Sequence, residues 1–352
     1  MLEKAVEGLL RLALRWRSRP SLVRKYLARQ RLKPGGNLCH VDPRRVRVAA
    51  VQMRLELSET AVDYASRVLE LARRAVGEGA QLLVFPEDSA THLVGLLPGM
   101  KELAARGDVS RTLQAMGGNL RPADVFALIG EATRRVYRET FAGVARALGV
   151  YVVAGSALLP EEGHVYNVAH LFGPDGALLG TQRKVHLIPL EKNWGLKEGH
   201  ELHVFSTPLG NLAMPVCMDA TYFETFRILA GQGAELVALP TADPAEFNPW
   251  KTRRGLWPRV QESGVYGIIS CLVGELFGLK LTGKSAIFAP LPLSPRGDGV
   301  LAELEDPNRE GVVTADLDLP ALREYRRSHP LAGALNLPLY QKYFPRLYQA
   351  MR

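Results

Sequence analysis

Residues 215–240 read "PVCMDATYFETFRILAGQGAELVALP", and this stretch decides the fold. An apolar run, "NLAMPVC" (211–217), ends in a cysteine. A helix-like run follows at 222–231, and then a second apolar run, "ELVALP" (235–240). Strand, corner, helix and strand in that order make a β-α-β unit, whose two strands lie parallel in one sheet. A cysteine at the end of the first strand has two readings: it packs as a small apolar side chain, or it stands on the strand-to-helix corner as a nucleophile.

Outward from this unit the same alternation repeats. "VRVAAVQM" (46–53) reads as a strand, and residues 61–77 read as a helix with Val62, Ala65, Val68, Leu69 and Ala72 on one face. "QLLVFPE" (81–87), "YVVAGSAL" (151–158) and "VYNVAHLFG" (165–173) are further strands, and "GPDG" (173–176) is a turn. More apolar runs lie at 265–273, 284–289 and 311–317. β-α-β units mixed with hairpins predict an α/β fold with a mixed sheet and helices outside it. Residues 95–140 read as a helical or looped insertion between two sheet strands.

At 352 residues, 47% of them hydrophobic, the chain is long enough for a sizeable core. Its three cysteines, Cys39, Cys217 and Cys271, are too few and odd in number for a disulfide framework, which points to a reducing, cytoplasmic setting. No apolar run approaches the roughly 20 residues that span a bilayer. The net charge of +8 belongs to one end: residues 1–33 hold ten Lys/Arg against two acids, so the remaining body is neutral. A neutral body argues against a nucleic-acid surface.

The basic end reads as two helices. Leu2, Val6, Leu9, Ala13 and Trp16 recur at helical spacing; Pro20 breaks the pattern; Ser21 is placed to cap a second helix carrying Leu22, Val23, Tyr26 and Leu27. "KPGGN" (33–37) is a linker. Arg11 interrupts the apolar segment and no small-residue cleavage site follows, which argues against a signal peptide. Two uses fit: an amphipathic anchor on an anionic membrane, such as the inner face of the plasma membrane, or an apolar stripe packed on the body or on a partner subunit.

Three residues at strand ends could do chemistry together: Glu87 closing "LLVFPE", Lys184 after "LLGTQR", and Cys217. Singly, each has an ordinary reading as a cap, a surface charge or packing. Jointly they form an acyl-transfer set. A thiol near pKa 8.5 needs a base, which Glu87 supplies if burial raises its pKa. Lys184 and the Met218 N–H could meet the oxyanion.

"FPE" (85–87), "RKVHLIPLE" (183–191) and the 215–240 stretch resemble the three signature segments of the nitrilase, or carbon–nitrogen hydrolase, superfamily. The separations of 7 residues from Lys184 to Glu191 and 33 from Lys184 to Cys217 are similar to that family's, and the resemblance runs from about 46 to 326. It implies a four-layer α-β-β-α sandwich that commonly dimerises through helices. It also implies Cys217 as nucleophile, Glu87 as general base, Lys184 as oxyanion stabiliser and Glu191 as the residue holding the lysine. The implied reaction passes through a thioester and needs no metal or organic cofactor. The expected organisation is a basic extension over 1–34, a hydrolase domain over 45–328 containing the 95–140 insertion, and a tail over 329–352 available as an oligomer contact.

Departures from the family pattern bear on substrate. Tyr222-Phe223-Glu224 replaces Phe-Pro-Glu, Glu262-Ser263 replaces Glu-Asn, and the Asn often found near 274 is absent, whereas Gly283 and Ser285 match. Met218-Asp219 after the cysteine is more similar to the amidase branches than to nitrilases, which tend to carry Trp-Glu. The expected substrate is therefore a small amide, with a nitrile, transfer of the acyl group to an amine, or a non-catalytic scaffold as alternatives. Trp194, Tyr222, Trp250 and Trp257 line a pocket or pack in the interior. Asp219, His186 and His92 are expected to be structural.

Overall fold

The computed structural model describes residues 10, 12–30, 41–107, 113, 120–252, 254–330 and 335–351. Leu2, Lys4, Val6 and Leu9 of the first expected helix, the linker 33–37 and Cys39 lie outside the described residues.

Among the described residues fourteen strands form the centre: β1 (Val46–Arg54), β2 (Leu82–Val84), β3 (Tyr151–Glu161), β4 (His164–Phe172), β5 (Leu178–Arg183), β6 (Leu196–Lys197), β7 (Val204–Thr207), β8 (Gly210–Ala213), β9 (Leu236–Thr241), β10 (Tyr266–Leu276), β11 (Leu279–Leu281), β12 (Ala286–Phe288), β13 (Val300–Glu303) and β14 (Gly311–Leu317). The strand order β5-β4-β3-β2-β1-β10-β9-β8-β7 bends at β1, whose last residues Met53 and Arg54 pair in parallel with Leu272 and Val273 of β10. Two sheets thus face each other and join along one edge.

The layering follows from two-residue periodicity. Along β1, Val46, Val48 and Ala50 enter a central apolar layer shared with Leu212 of β8, Leu236 of β9 and Ile268 of β10. Ala49, Val51 and Met53 point the other way, into a core roofed by the helices Ala61–Gly77 and Pro122–Leu148. On the far side of the second sheet, Val237, Leu239 and Ile269 pack under Phe226 and Leu229 of helix Phe223–Gly231 and Leu256 and Val260 of helix Leu256–Ser263. Three apolar layers between four structural layers make the α-β-β-α sandwich that the resemblance implied.

Strand direction places the site. β2 runs parallel to β1 and β3; β5 is antiparallel to β4, which is antiparallel to β3; β8, β9 and β10 are mutually parallel, and β10 is parallel to β1. The C-terminal ends of β2, β5, β8 and β9 therefore share one rim. Glu87, Lys184 and Cys217 follow the ends of β2, β5 and β8 respectively.

The N-terminal segment differs from expectation in one detail. The helical run over 12–17 ends before Pro20, as expected, and Pro20 itself opens the second helix, Pro20–Ala28, because a first-turn proline loses no hydrogen bond there; Arg19, not Ser21, takes the N-cap position. Val23 and Leu27 of this helix, and Leu14 before it, are buried in the body. A Cβ at Gly143 would stand 2.4 Å from Leu27, so the long helix offers a bare backbone where the short one crosses it. Arg24 pairs with Glu139 at 2.7 Å and Tyr26 donates to Ser66 at 3.0 Å. The stripe of this second helix is packed on the body, while Leu12 and Trp16 are 63% and 60% exposed. Among the described residues no helix is long and apolar enough to cross a membrane.

Candidate active site

Each of the three strand ends is held by local chemistry. The turn after β2 carries Glu87 and then Asp88, whose φ of 56° is tolerated by a short polar side chain. Ser89 Oγ donates to the Ala154 carbonyl at 2.7 Å, and the Asp88 N–H donates to Ser156 Oγ at 3.0 Å, stitching the turn to β3. Between these anchors lies Gly155, with φ of 71° and the Pro86 carbonyl oxygen 1.9 Å from where a Cβ would stand. Only glycine admits so close an approach.

Cys217 sits at φ 47° at the start of a one-turn 3₁₀ helix, Cys217–Thr221. Asp219 closes the corner. Its buried carboxylate accepts from the Val216 N–H at 2.8 Å and the His186 N–H at 2.8 Å, with His186 Nδ1 at 3.0 Å. One aspartate thus ties the cysteine corner to the segment that follows Lys184. This is the structural role expected of Asp219 and His186. His92 is likewise internal: its Nδ1 accepts from the Glu56 N–H at 3.4 Å, and burial pushes its pKa down to about 3.

The three candidates converge. Lys184 Nζ donates to Glu87 Oε1 at 2.8 Å and to Glu191 Oε2 at 2.7 Å. Glu191 is set by the helix Pro189–Trp194, where it also accepts from the Ile188 N–H at 2.9 Å. Asn167, in the middle of β4, donates through Nδ2 to both carboxylates, at 2.9 Å to Glu87 and 3.2 Å to Glu191. The Ala242 N–H, just beyond β9, donates to Glu87 Oε2 at 2.8 Å. Glu87 and the Cys217 thiol are close enough for each to perturb the ionisation of the other. An ammonium has three protons; two of Lys184's are engaged by carboxylates, which leaves one for an incoming oxygen.

Electrostatics follow from burial. Glu87 and Lys184 are 2% and 1% exposed. Burial raises the Glu87 pKa against the pull of Lys184. Burial also works against the Lys184 charge, yet Glu87, Cys217 and Glu191 together hold its pKa well above the lysine range. The Cys217 thiol is pushed well up by burial and then by the Glu87 charge. A neutral thiol beside a carboxylate can lose its proton as it attacks, rather than beforehand.

Two clefts meet here, with Ile188, Ala242 and Pro244 lining both. One contains Cys217 and Met218, and carries Lys251, Arg254 and Lys284. The other is apolar and reaches Glu87, Lys184 and Glu191. Of the four aromatics expected as pocket or packing, Trp194 lines the apolar cleft. Tyr222 lines neither cleft; it is 39% exposed and its ring lies 4.5 Å from that of His186. Trp250 is 73% exposed. Trp257 donates Nε1–H to the Asp298 carbonyl at 2.9 Å and packs under the outer face of the second sheet. Asn167, Asp88 and the Ala242 N–H were not singled out in the sequence. A polar residue inside the apolar run "VYNVAHL" is the signal that marks Asn167. Among the described residues no group of His, Cys, Asp and Glu side chains is placed to hold a metal ion.

The profile of the carbon–nitrogen hydrolase family matches residues 47–327. The omega-amidase NIT2 of Danio rerio is 30% identical, over 84% of this chain and 96% of its own length. The nitrilase of Pyrococcus abyssi is 31% identical, over 80% of this chain and 93% of its own. A probable hydrolase of Bacillus subtilis, YhcX, is 29% identical over 80% of this chain, which spans about half (52%) of that relative's length. Among solved structures, an amidase from Nesterenkonia sp. superposes with a TM-score of 0.60 at 22% identity, covering 86% of this chain and 98% of its own. The last similarity concerns the fold alone.

Proposed function

The chain belongs to the carbon–nitrogen hydrolase family, and from that premise we propose that it hydrolyses a small amide to a carboxylate and ammonia or an amine, through a thioester on Cys217. The single observation that carries this reading is the convergence of Glu87, Lys184 and Cys217 from three strand ends on one rim, with a Lys184 proton left unengaged.

The Cys217 sulfur attacks the carbonyl carbon while its proton passes to Glu87. The carbonyl oxygen, gaining charge, is met by Lys184 Nζ and by the Met218 N–H. Collapse breaks the C–N bond, and the departing nitrogen takes the proton from Glu87. Water then attacks the thioester carbonyl, giving a proton to Glu87, which returns it to the leaving sulfur. Glu191 and Asn167 keep Glu87 and Lys184 in register throughout. Met218-Asp219 after the nucleophile supports an amide over a nitrile, as does the likeness to an omega-amidase.

Two further readings attach to this proposal. The exposed Tyr222, Phe223 and Ile228 lie near the C-terminal helix Leu337–Ala350, where the Phe344 ring is 6.2 Å from that of Phe223 and Tyr348 donates to Glu224 at 2.8 Å. This apolar face is proposed as a homodimer contact; sedimentation of Ile228→Asp beside the parent protein tests it, and a parent that sediments as a monomer overturns it. In a cytoplasmic setting, Leu12 and Trp16, flanked by Arg15 and Arg19, are proposed to touch an anionic membrane surface. Equal flotation of the parent and a Leu12→Ser/Trp16→Ser variant with anionic liposomes overturns that part.

The central proposal is tested by ammonia release and intact-mass measurement on a panel of short, aromatic and fatty amides, with the parent and Cys217→Ala side by side. An acyl adduct and ammonia from the parent alone support it. Equal turnover by both proteins overturns it.

A further inference from the structure

The apolar cleft beside the catalytic cluster has a composition that specifies a ligand. Its free volume is about 120 Å³, the size class of cavities that hold a single benzene ring. Phe126, Trp194 and Phe277 supply aromatic walls, the first two with ring centroids 6.5 Å apart. Phe277 is delivered on purpose-built backbone. It occupies the two-residue turn between β10 and β11 with φ 53°, followed by Gly278 at 72°, while Leu276 pairs with Leu279 across the turn. A bulky residue is a costly occupant of that conformation, and here the conformation turns a ring into the cavity.

Against these walls stands Asp88. It lines the cavity, and its Oδ1 is buried without a hydrogen-bond partner. An unpaired buried carboxyl oxygen costs free energy unless a ligand meets it. With Glu87 and Glu191 it makes three carboxyl groups at one cavity facing one ammonium, Lys184. Burial, and then the charges of Glu87 and Glu191, push the Asp88 carboxyl well up, which holds it neutral while the site is empty; an ammonium arriving there supplies the positive charge that lets it ionise. Aromatic faces attract the same kind of group.

We propose that this cavity binds an apolar ammonium: an aryl or short alkyl group of about benzene size carrying a protonated amine, with the amine on Asp88 and the apolar body among Phe126, Trp194 and Phe277. Resting on the hydrolase reading for the chemistry beside it, this makes the substrate an amide that bears such a group in its acyl half or in its amine half.

The first test is binding alone, so it does not depend on turnover. Calorimetry on the full-length Cys217→Ala protein compares benzylammonium with benzyl alcohol. Benzylammonium is expected to bind at least tenfold tighter, and Asp88→Asn in the same protein to bring the two to parity. Equal binding, no binding of either probe, or a preference that survives Asp88→Asn overturns the proposal. The second test uses the parent enzyme with phenylalaninamide, whose ammonium is in the acyl half, and N-[4-(aminomethyl)benzyl]acetamide, whose ammonium is in the amine half. Faster cleavage of one assigns the half, and Asp88→Asn should lower kcat/KM on it at least tenfold; an unchanged value overturns the role of Asp88. Should benzylammonium bind as expected while neither amide is cleaved, the cavity stands and the hydrolase reading is what fails.

Discussion

Lys184 Nζ lies 2.7 Å from Glu191 Oε2, and both side chains are buried. Glu191 also carries bonds from the Ile188 N–H and from Asn167. It is therefore the joint of three segments. Glu191→Ala should lower stability by about 3 kcal/mol, the cost of unpairing a buried charge, and lower kcat about 10- to 100-fold through misplacement of Lys184. Glu191→Gln keeps an acceptor for the Ile188 N–H, so it should recover much of the melting temperature and little of kcat. Recovery of both in parallel would mean that the charge on Lys184 needs no partner.

Glu87 must be ionised to accept the thiol proton. Because its pKa is raised, activity should fall as pH drops through a value above 4.5, not at the ordinary carboxylate position. On the alkaline side, the Lys184 charge is lost only well above 10.5 and the thiol ionises only well above 9.0, so no decline is expected between pH 7 and 9. A kcat/KM profile measures both limbs. An acid limb at or below 4.5 contradicts the buried-base mechanism.

A thiol pushed up in pKa should not behave as a free one. Alkylation of Cys217 by iodoacetamide, followed by peptide mass, should show no rise centred near the ordinary thiol pKa of about 8.5. The rate should instead track the ionisation of Glu87 and drop at least tenfold in Glu87→Gln. A normal thiol titration in the parent would show that Cys217 ionises independently of Glu87.

Gly155→Ala forces a Cβ against the Pro86 carbonyl at a positive φ. The turn bearing Glu87 must move, so kcat should fall more than tenfold and stability by more than about 1 kcal/mol. Full activity in this variant would show that the turn has slack.

Asn167→Ala removes one donor from each of two buried carboxylates. A cost of about 1–3 kcal/mol is expected, with the acid limb of the pH profile moved further up, since a lost donor no longer favours the charged Glu87. Denaturant melts and the same profile read both; a limb that moves down would refute the role given to Asn167.

How much of this was legible in the sequence varies with the physics of each residue. Glu87, Lys184 and Cys217 were visible because each interrupts or ends an apolar strand, and strand ends gather at a rim. The layered sandwich was legible only through the resemblance of the signature segments, since the apolar run of β1 does not say what covers its two faces. Asn167 stood out only as one amide inside a mostly apolar strand, and only its pairing with carboxylates from other segments gives it meaning. Asp88 was masked by its neighbour, since nothing local distinguishes a structural aspartate from one left unpaired in a cavity. The Leu276–Leu279 hairpin was missed because Phe277-Gly278 lacks the Asn-Gly or Asp-Gly signature of such turns. The break at Pro20 was legible, but the cap was placed at Ser21 and not Arg19 because a proline at the first helical position moves the start of the helix one residue earlier.

The edge where β1 meets β10 has a consequence for how this protein fails. Glu87 hangs from the first sheet and Cys217 from the second, and the filling between them is Val48, Val84, Leu212, Leu236 and their neighbours. That filling is the spacer that sets the distance from base to nucleophile. Trimming it, as in Leu236→Ala, lets one sheet settle toward the other, and the two reacting groups lose alignment while every helix and strand persists. Heating such a variant should extinguish turnover well before circular dichroism changes, so that catalysis serves as a caliper for the gap between the sheets.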